Sequence, residues 1–262
     1  MELDLAGRVV LVTGGSRGIG RAVARALVAE GAQVAICARG EEACTAAADE
    51  LGANAAGLVA DVRDDAAVGA LVEQVVARFE RLDGIVNNAG RFGGGPVVDM
   101  SDERVHEGLD TKVAGALRVV RHALEHLRAS DRPVVVNVSG ITAEKVIAGA
   151  AATALANAGM LTLTSYLARE LASDGVRVNG VVPGYTLTGV WRERARAVAG
   201  AEGLSLEQAE RAILDRQGMG HARWGTAEEI ADVIVFLLSR AARFVNGAVL
   251  RVDGGQSPAV EY

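Results

Sequence analysis

Residues 9–20, reading Val-Val-Leu-Val-Thr-Gly-Gly-Ser-Arg-Gly-Ile-Gly, constrain the fold of this 262-residue chain more than any other stretch. An apolar run stops at Thr13 and a glycine cluster, and an Ala-rich helical pattern from Arg21 to Ala29 follows at once. That order predicts a buried strand, a tight turn and a helix N-terminus. Glycine lets the backbone approach a ligand closely. The free N–H groups and positive dipole end of the next helix favour a phosphate there. The spacing is Gly-x-x-x-Gly-x-Gly, which differs from the commoner dinucleotide fingerprint.

Downstream, short apolar runs alternate with helical patterns to the end of the chain. Strands are expected at Arg8–Thr13, Gln33–Ala38, Ala56–Ala60, Gly84–Asn87, Pro133–Ser139, Val176–Val182 and Gly247–Val252. Continuous apolar strands separated by helices imply an α/β fold with a parallel sheet covered on both faces. No linker, repeat or low-complexity segment interrupts the pattern, so residues 1–262 are expected to form one domain. With 50% hydrophobic residues a sizeable core is available. The net charge of −6 and the lack of any like-charge block argue against nucleic acid and anionic membrane as partners. Cys37 and Cys44 have neither close-pair nor metal spacing, which fits a reducing compartment. Residues 1–5 show no basic flank and no long apolar run, so a soluble cytoplasmic protein is expected.

Later motifs carry a family resemblance. Asn87-Asn88-Ala89-Gly90, Arg177-Val178-Asn179, Pro183-Gly184, Arg223-Trp224-Gly225 and Val252-Asp253-Gly254-Gly255 follow the glycine stretch in order. Together they resemble the short-chain dehydrogenase/reductase family over nearly the whole chain. The resemblance implies a doubly wound Rossmann-like sheet of about seven parallel strands, a nicotinamide dinucleotide cofactor and, commonly, a homodimer or homotetramer. On that resemblance the cofactor would be held by Gly14, Ser16, Arg17, Gly18, Ile19, Gly20, Arg39, Asp61, Val62, Asn88, Ala89, Gly90, Pro183, Gly184, Thr186 and Thr188. The second strand ends in Ala38-Arg39, without the acidic residue that would bind a ribose 2′-hydroxyl. Arg17 and Arg39 suit a 2′-phosphate, so NADP(H) is expected over NAD(H).

The resemblance also says where the usual catalytic side chains should stand. The family uses a Tyr and Lys one helical turn apart, a Ser at a strand end and an Asn on a preceding helix. Aligned without gaps, the Ser position falls on Gly140, the Tyr position on Thr153, the Lys position on Asn157 and the Asn position on Lys112. Ser139 is adjacent to the Ser position, but a one-residue shift on a strand points to the other face. The first tyrosine of the chain is Tyr166, well past Asn157, and the only lysines are Lys112 and Lys145. No shifted Tyr–Lys pair exists. Lys112, Ser139, Thr153 and Asn157 are therefore the candidate catalytic residues. Lys112, if buried, would have a lowered pKa and could exchange a proton near neutral pH.

Other features are weaker. His122-Ala123-Leu124-Glu125-His126 matches a zinc-hydrolase pattern, but no third ligand is evident and no metal is expected. Glu144 and Lys145 read as an exposed pair beside the substrate cleft; Tyr185 and His221 could reach the substrate. Residues 186–220 should form a substrate lid with two amphipathic helices, the second opened by a Ser205–Gln208 capping box. Arg192, Arg194 and Arg196 in that segment could meet an anionic substrate, but read better as the solvated face of that helix. The expected function is an NADP(H)-dependent oxidoreductase acting on a small carbonyl or hydroxyl compound with an altered proton relay. The alternatives are a non-redox cyclase, isomerase or lyase in the same cleft, and a silent subunit of a hetero-oligomer with an active relative.

Overall fold

The structure is a computed structural model that describes residues 2–90, 94–219 and 223–257. In chain order it runs β1 (Val9–Thr13), α1 (Gly18–Ala29), β2 (Gln33–Ala38), α2 (Glu41–Leu51), β3 (Ala55–Val59), α3 (Asp65–Phe79), β4 (Gly84–Asn87) and α4 (Asp102–Leu109). A π-helical turn (Asp110–Ala114) joins α4 to α5 (Gly115–Arg128), and β5 (Val134–Val138), α6 (Ala151–Glu170) and β6 (Arg177–Pro183) follow. The chain closes with α7 (Gly189–Glu202), α8 (Leu206–Arg216), α9 (Ala227–Leu238) and β7 (Val249–Val252). His221, and Gly220 at the end of the expected lid, lie outside the described residues.

The strands form one seven-stranded sheet in the order β3-β2-β1-β4-β5-β6-β7, with every pairing parallel. This is the expected doubly wound, single-domain fold. All seven expected strands are present, with ends shifted by a residue or two. Arg8 stands outside β1, its N–H donating to the Leu5 carbonyl at 3.0 Å in the preceding turn. Pro133 supplies no N–H to β5, and Gly247 turns the chain with φ +74° before β7 begins.

The period-2 alternation of the strands divides the core into two layers. In β1, Val10 and Val12 point to the side covered by α1, α2 and α9. Val9 and Leu11 point to the side covered by α3, α5 and α6. Both faces of every central strand are thus buried, which is why these strands read as unbroken apolar runs. A third, smaller cluster of Ile141, Tyr185, Ala195, Ile213, Leu214 and Met219 lies under α7 and α8. The expected capping box opens α8 at Ser205, and a second one opens α9 at Thr226. Among the described residues no helix is long and apolar enough to cross a membrane.

The amino-terminal end of the sheet is pinned by charge. Asp83, just before β4, is buried and accepts from Arg8, Arg81, the Ser130 hydroxyl and the Val9 N–H at 2.6–3.0 Å. The carboxyl-terminal end is left for the site.

Candidate functional site

The strand order changes direction between β1 and β4, and a crevice opens there at the carboxyl ends of the strands. Thr13 builds it. Its hydroxyl accepts from the N–H groups of Asn88 and Ala89 at 3.0 and 3.1 Å and donates to the Val86 carbonyl at 3.3 Å. The Asn88 side-chain amide returns to the carbonyls of Thr13 and Gly14 at 3.0 and 3.1 Å. The two motifs are therefore one hydrogen-bonded unit. Gly14 and Gly18 take positive φ (+65° and +55°), and a Cβ at Gly20 would lie 2.4 Å from the Gly14 carbonyl oxygen. Glycine is required for this packing.

The same unit leaves the start of α1 open. Its N-cap is Arg17, which makes no side-chain capping bond, and no acidic residue stands in the first turn. Uncapped N–H groups without a competing carboxylate suit a phosphate. Arg17 and Arg39 are exposed, Arg39 directly after β2. Asp61, after β3, is gripped by the guanidinium of Arg63, which lowers its pKa. Arg39 contributes a smaller electrostatic effect in the same direction. Val62 is buried against Gly115, fixing where α5 starts. These residues fit a dinucleotide with a phosphorylated ribose.

From this cradle a cavity of about 310 Å³ extends over the ends of β5 and β6. It brings together Ile19, Asn88, Gly90, Lys112, Ser139, Gly140, Thr153, Asn157, Pro183, Gly184, Thr186 and Thr188 from the expected site. Arg17, Arg39, Asp61 and Val62 do not line it. Thr186 is buried and donates to the Gly184 carbonyl at 3.0 Å. Thr188 is the N-cap of α7, yet its hydroxyl makes no capping bond. Its methyl side faces Gly18, whose added Cβ would meet Thr188 Cγ2 at 3.5 Å.

Lys112 enters on the π-helical turn, a local widening of the helix often found at functional sites. Its Nζ donates to the Ser139 carbonyl at 2.9 Å and lies near Gly90, between the ends of β4 and β5. Burial pushes the lysine down to about 8.

The other candidates are arranged around Asn157. Ser139 is buried and its hydroxyl donates to the Asn157 carbonyl at 2.8 Å, so it serves as a brace between β5 and α6. The Asn157 amide donates to the Thr142 hydroxyl at 2.7 Å. Its Oδ1 is buried with no hydrogen-bond partner among the described residues. The backbone at Gly140 is extended (φ 172°) and would suit any residue. A Cβ there would come 2.7 Å from Asn157 Nδ2, so a larger residue requires the Asn157 amide to turn away. Gly140 and Asn157 are thus a coupled pair. Thr153 is buried one turn earlier on α6, also facing the cavity.

Two expectations are corrected here, the Glu144–Lys145 pair and the wholly solvated arginine face. Glu144 and Lys145 do not pair with each other. Glu144 pairs with Arg251, and Lys145 Nζ donates to the Gln256 carbonyl at 3.0 Å. Arg194 is not simply part of a solvated face. It lines the cavity and stacks on Trp191, 4.8 Å from the ring centroid. Tyr185 does line the cavity, buried in an aromatic cluster 4.6 Å from Trp191 and 5.7 Å from Trp224. Burial pushes its hydroxyl up to about 12, so it holds its proton. His122 faces Asp65 of α3 at 3.2 Å, and no metal-binding group of three or more ligands forms among the described residues. Trp191 and Gln217 are cavity residues that spacing did not assign to the site; the apolar stripe of α7 was the available signal.

Comparison with known proteins agrees with this architecture. Residues 14–257 match the family described as Enoyl-(Acyl carrier protein) reductase. The 3-oxoacyl-[acyl-carrier-protein] reductase of Escherichia coli is 34% identical over 254 residues, covering 97% of this chain and 98% of that protein. The L-sorbose reductase of Gluconobacter frateurii, solved with NADPH and L-sorbose, superposes with a TM-score of 0.94 at 28% identity, covering 99% and 100% of the two chains. A short-chain oxidoreductase from Pseudomonas aeruginosa, described as containing an atypical catalytic centre, superposes with a TM-score of 0.92 at 33% identity over 98% and 100%. On its fold, its cofactor cradle and these full-length matches, the chain belongs to the short-chain dehydrogenase/reductase family.

Proposed function

We propose that this chain is an NADP(H)-dependent oxidoreductase that acts on a small carbonyl or hydroxyl compound and exchanges the reaction's proton through Lys112. One observation carries the reading. A complete dinucleotide cradle opens directly into a cavity whose wall holds a lysine with a pKa of about 8. The family's Ser, Tyr and Lys positions hold Gly140, Thr153 and Asn157. Of the titratable groups lining that wall, Lys112 is the one poised to change protonation state near neutral pH.

The NADPH bound by the sorbose reductase supports the same cofactor here. Gly14–Gly20 and the start of α1 would hold the pyrophosphate, Arg17 and Arg39 the 2′-phosphate, and Thr186 and Thr188 the nicotinamide amide. When bound, the reduced cofactor supplies a hydride equivalent. The chain's own part is to orient the substrate and move a proton. The Lys112 ammonium donates to the carbonyl oxygen in reduction, and the neutral amine takes the hydroxyl proton in oxidation. The unpartnered Asn157 Oδ1 accepts from a donor on the substrate. Residues 186–219 cover the cavity as a lid, with the Tyr185–Trp191–Trp224 cluster beneath it.

Arg39→Ala is expected to reduce the preference for NADPH over NADH by roughly tenfold or more, the loss of one charge-assisted hydrogen bond. Titration calorimetry with both cofactors checks this, and an unchanged ratio would remove Arg39 from the site.

A second reading, proton transfer at carbon without redox, is favoured by the same lysine. A neutral amine near its pKa can also deprotonate the carbon beside a carbonyl. Turnover with 4-deuterated NADPH separates the two. Deuterium in the product is expected; substrate conversion without label would replace the redox reading by the non-redox one.

A further inference from the structure

The charged residues lining the cavity are of one sign. Among the described residues no Asp or Glu lines it, while Lys112 and Arg194 both do. The chain as a whole carries −6, so the cavity runs against the average of its surface. A concave site lined by one sign concentrates ligands of the other.

Arg194 is placed there by helix geometry. Trp191, Arg194, Ala195 and Val198 fall on one stripe of α7, at the i, i+3, i+4, i+7 spacing of an inward face. All three arginines of α7 keep exposed surface, but only Arg194 lines the cavity; Arg192 and Arg196 fall off that stripe. The Arg194 guanidinium lies over the Trp191 ring, which in turn packs 4.6 Å from the ring of Tyr185. Stacking fixes the plane of a guanidinium while its N–H groups lie in that plane, a geometry suited to a carboxylate. An aromatic wall and an oriented cation therefore stand side by side, with Lys112 elsewhere in the same cavity.

We propose that the substrate is a compact carbonyl compound carrying a carboxylate and a flat or aromatic portion. The carboxylate pairs with Arg194, the flat portion packs on Trp191 and Tyr185, and the carbonyl faces Lys112. This assignment rests on the redox reading above only for the role of the carbonyl; the binding mode stands without turnover. At about 310 Å³ the cavity lies at the small end of ligand sites, in keeping with a compact molecule.

The chain supplies its own reporter. Its two tryptophans, Trp191 and Trp224, lie 5.4 Å apart in the cluster at this cavity. Their fluorescence is to be followed while the full chain, saturated with NADP⁺, is titrated with phenylglyoxylate and separately with its methyl ester. The acid is expected to bind at least tenfold more tightly than the ester. Arg194→Met is expected to remove that difference by weakening the acid alone, and Arg194→Lys to retain part of it. Equal binding of acid and ester, no binding of either, or an acid preference that survives Arg194→Met would overturn the assignment. Acid-selective binding without any turnover by NADPH would leave it standing and count against the redox reading. Turnover of neutral ketones with no acid preference would do the reverse.

Discussion

Lys112→Met is expected to lower the rate of carbonyl reduction by roughly a hundred- to ten-thousand-fold while NADPH binding is retained. The side chain touches the cavity and not the phosphate cradle, so the loss belongs in kcat. The pH profile carries the sharper test. Burial holds the lysine at about 8, so it is largely protonated at neutral pH. Reduction requires that proton, and its rate in the wild type should fall as pH rises through about 8. Oxidation requires the neutral amine and should rise through the same interval. Both inflections should vanish in the variant. Steady-state rates in the two directions from pH 6 to 10 measure this, and an unshifted profile in Lys112→Met would remove Lys112 from the chemistry.

The same substitution should stabilise the fold. A lysine whose folded pKa lies below its unfolded value opposes folding most strongly when it is protonated in both states. That cost is present at neutral pH and fades as pH rises from about 8 toward the ordinary lysine value. It is on the order of 3 kcal/mol. The lost hydrogen bond to the Ser139 carbonyl offsets about 1 kcal/mol of the gain. Thermal unfolding should therefore show a higher Tm for Lys112→Met at pH 7, with the margin narrowing toward pH 10.

Asp83→Ala is expected to have the largest effect on stability, about 3 kcal/mol or more, with little change in cofactor affinity. The carboxylate sits at the amino-terminal end of β4, across the sheet from the crevice. Its removal strands the buried Arg8 guanidinium with only the exposed Asp131 as an acidic partner, and leaves the Val9 N–H without its acceptor. Burial by itself would raise the Asp83 pKa. Arg81, Ser130, the Val9 N–H and Arg8 outweigh it and hold the carboxyl below the usual carboxylate range. With the folded pKa below the unfolded one, the contribution is complete above about pH 4 and is lost as pH falls through the folded value. Denaturant midpoints of the wild type should decline in acid more steeply than those of the variant. Asp131→Ala, at an exposed partner, should cost about 1 kcal/mol or less. Equal midpoints for Asp83→Ala and wild type would show that the network is not a structural anchor.

The fold was legible because its signals are local. Val9–Thr13 alternates between two buried faces, and each central strand does the same, so the apolar runs mark the strands directly. The glycines around Gly14–Gly20 mark places where a Cβ has no room or, at Gly18, where φ is positive, a demand written into a single position each. The cofactor residues were legible for the same reason: a backbone that must approach phosphate leaves a glycine pattern.

The wall of the cavity was only half legible. Register singled out Lys112, Gly140, Thr153 and Asn157, and all four line one cavity. It could not say that the Gly140 position is sterically tied to Asn157, because that contact joins residues from β5's end and the middle of α6. Nor could it orient Ser139, whose hydroxyl is spent on the Asn157 carbonyl. Arg194 shows the limit most clearly. On the sequence it is one of three arginines on a helix, and only the stacking of α7 against Tyr185 and Trp224 turns that one toward the cavity.

By itself, then, the sequence determined the strand–helix alternation, the phosphate-binding turn and the absence of a Tyr–Lys pair, since each depends on neighbours within a few residues. The tertiary structure alone decided which charges face the cavity and how Lys112 is tuned. Burial and electrostatic environment are set by elements far apart in the chain, and a pKa of about 8 exists only where the ends of β4 and β5 close over that amine.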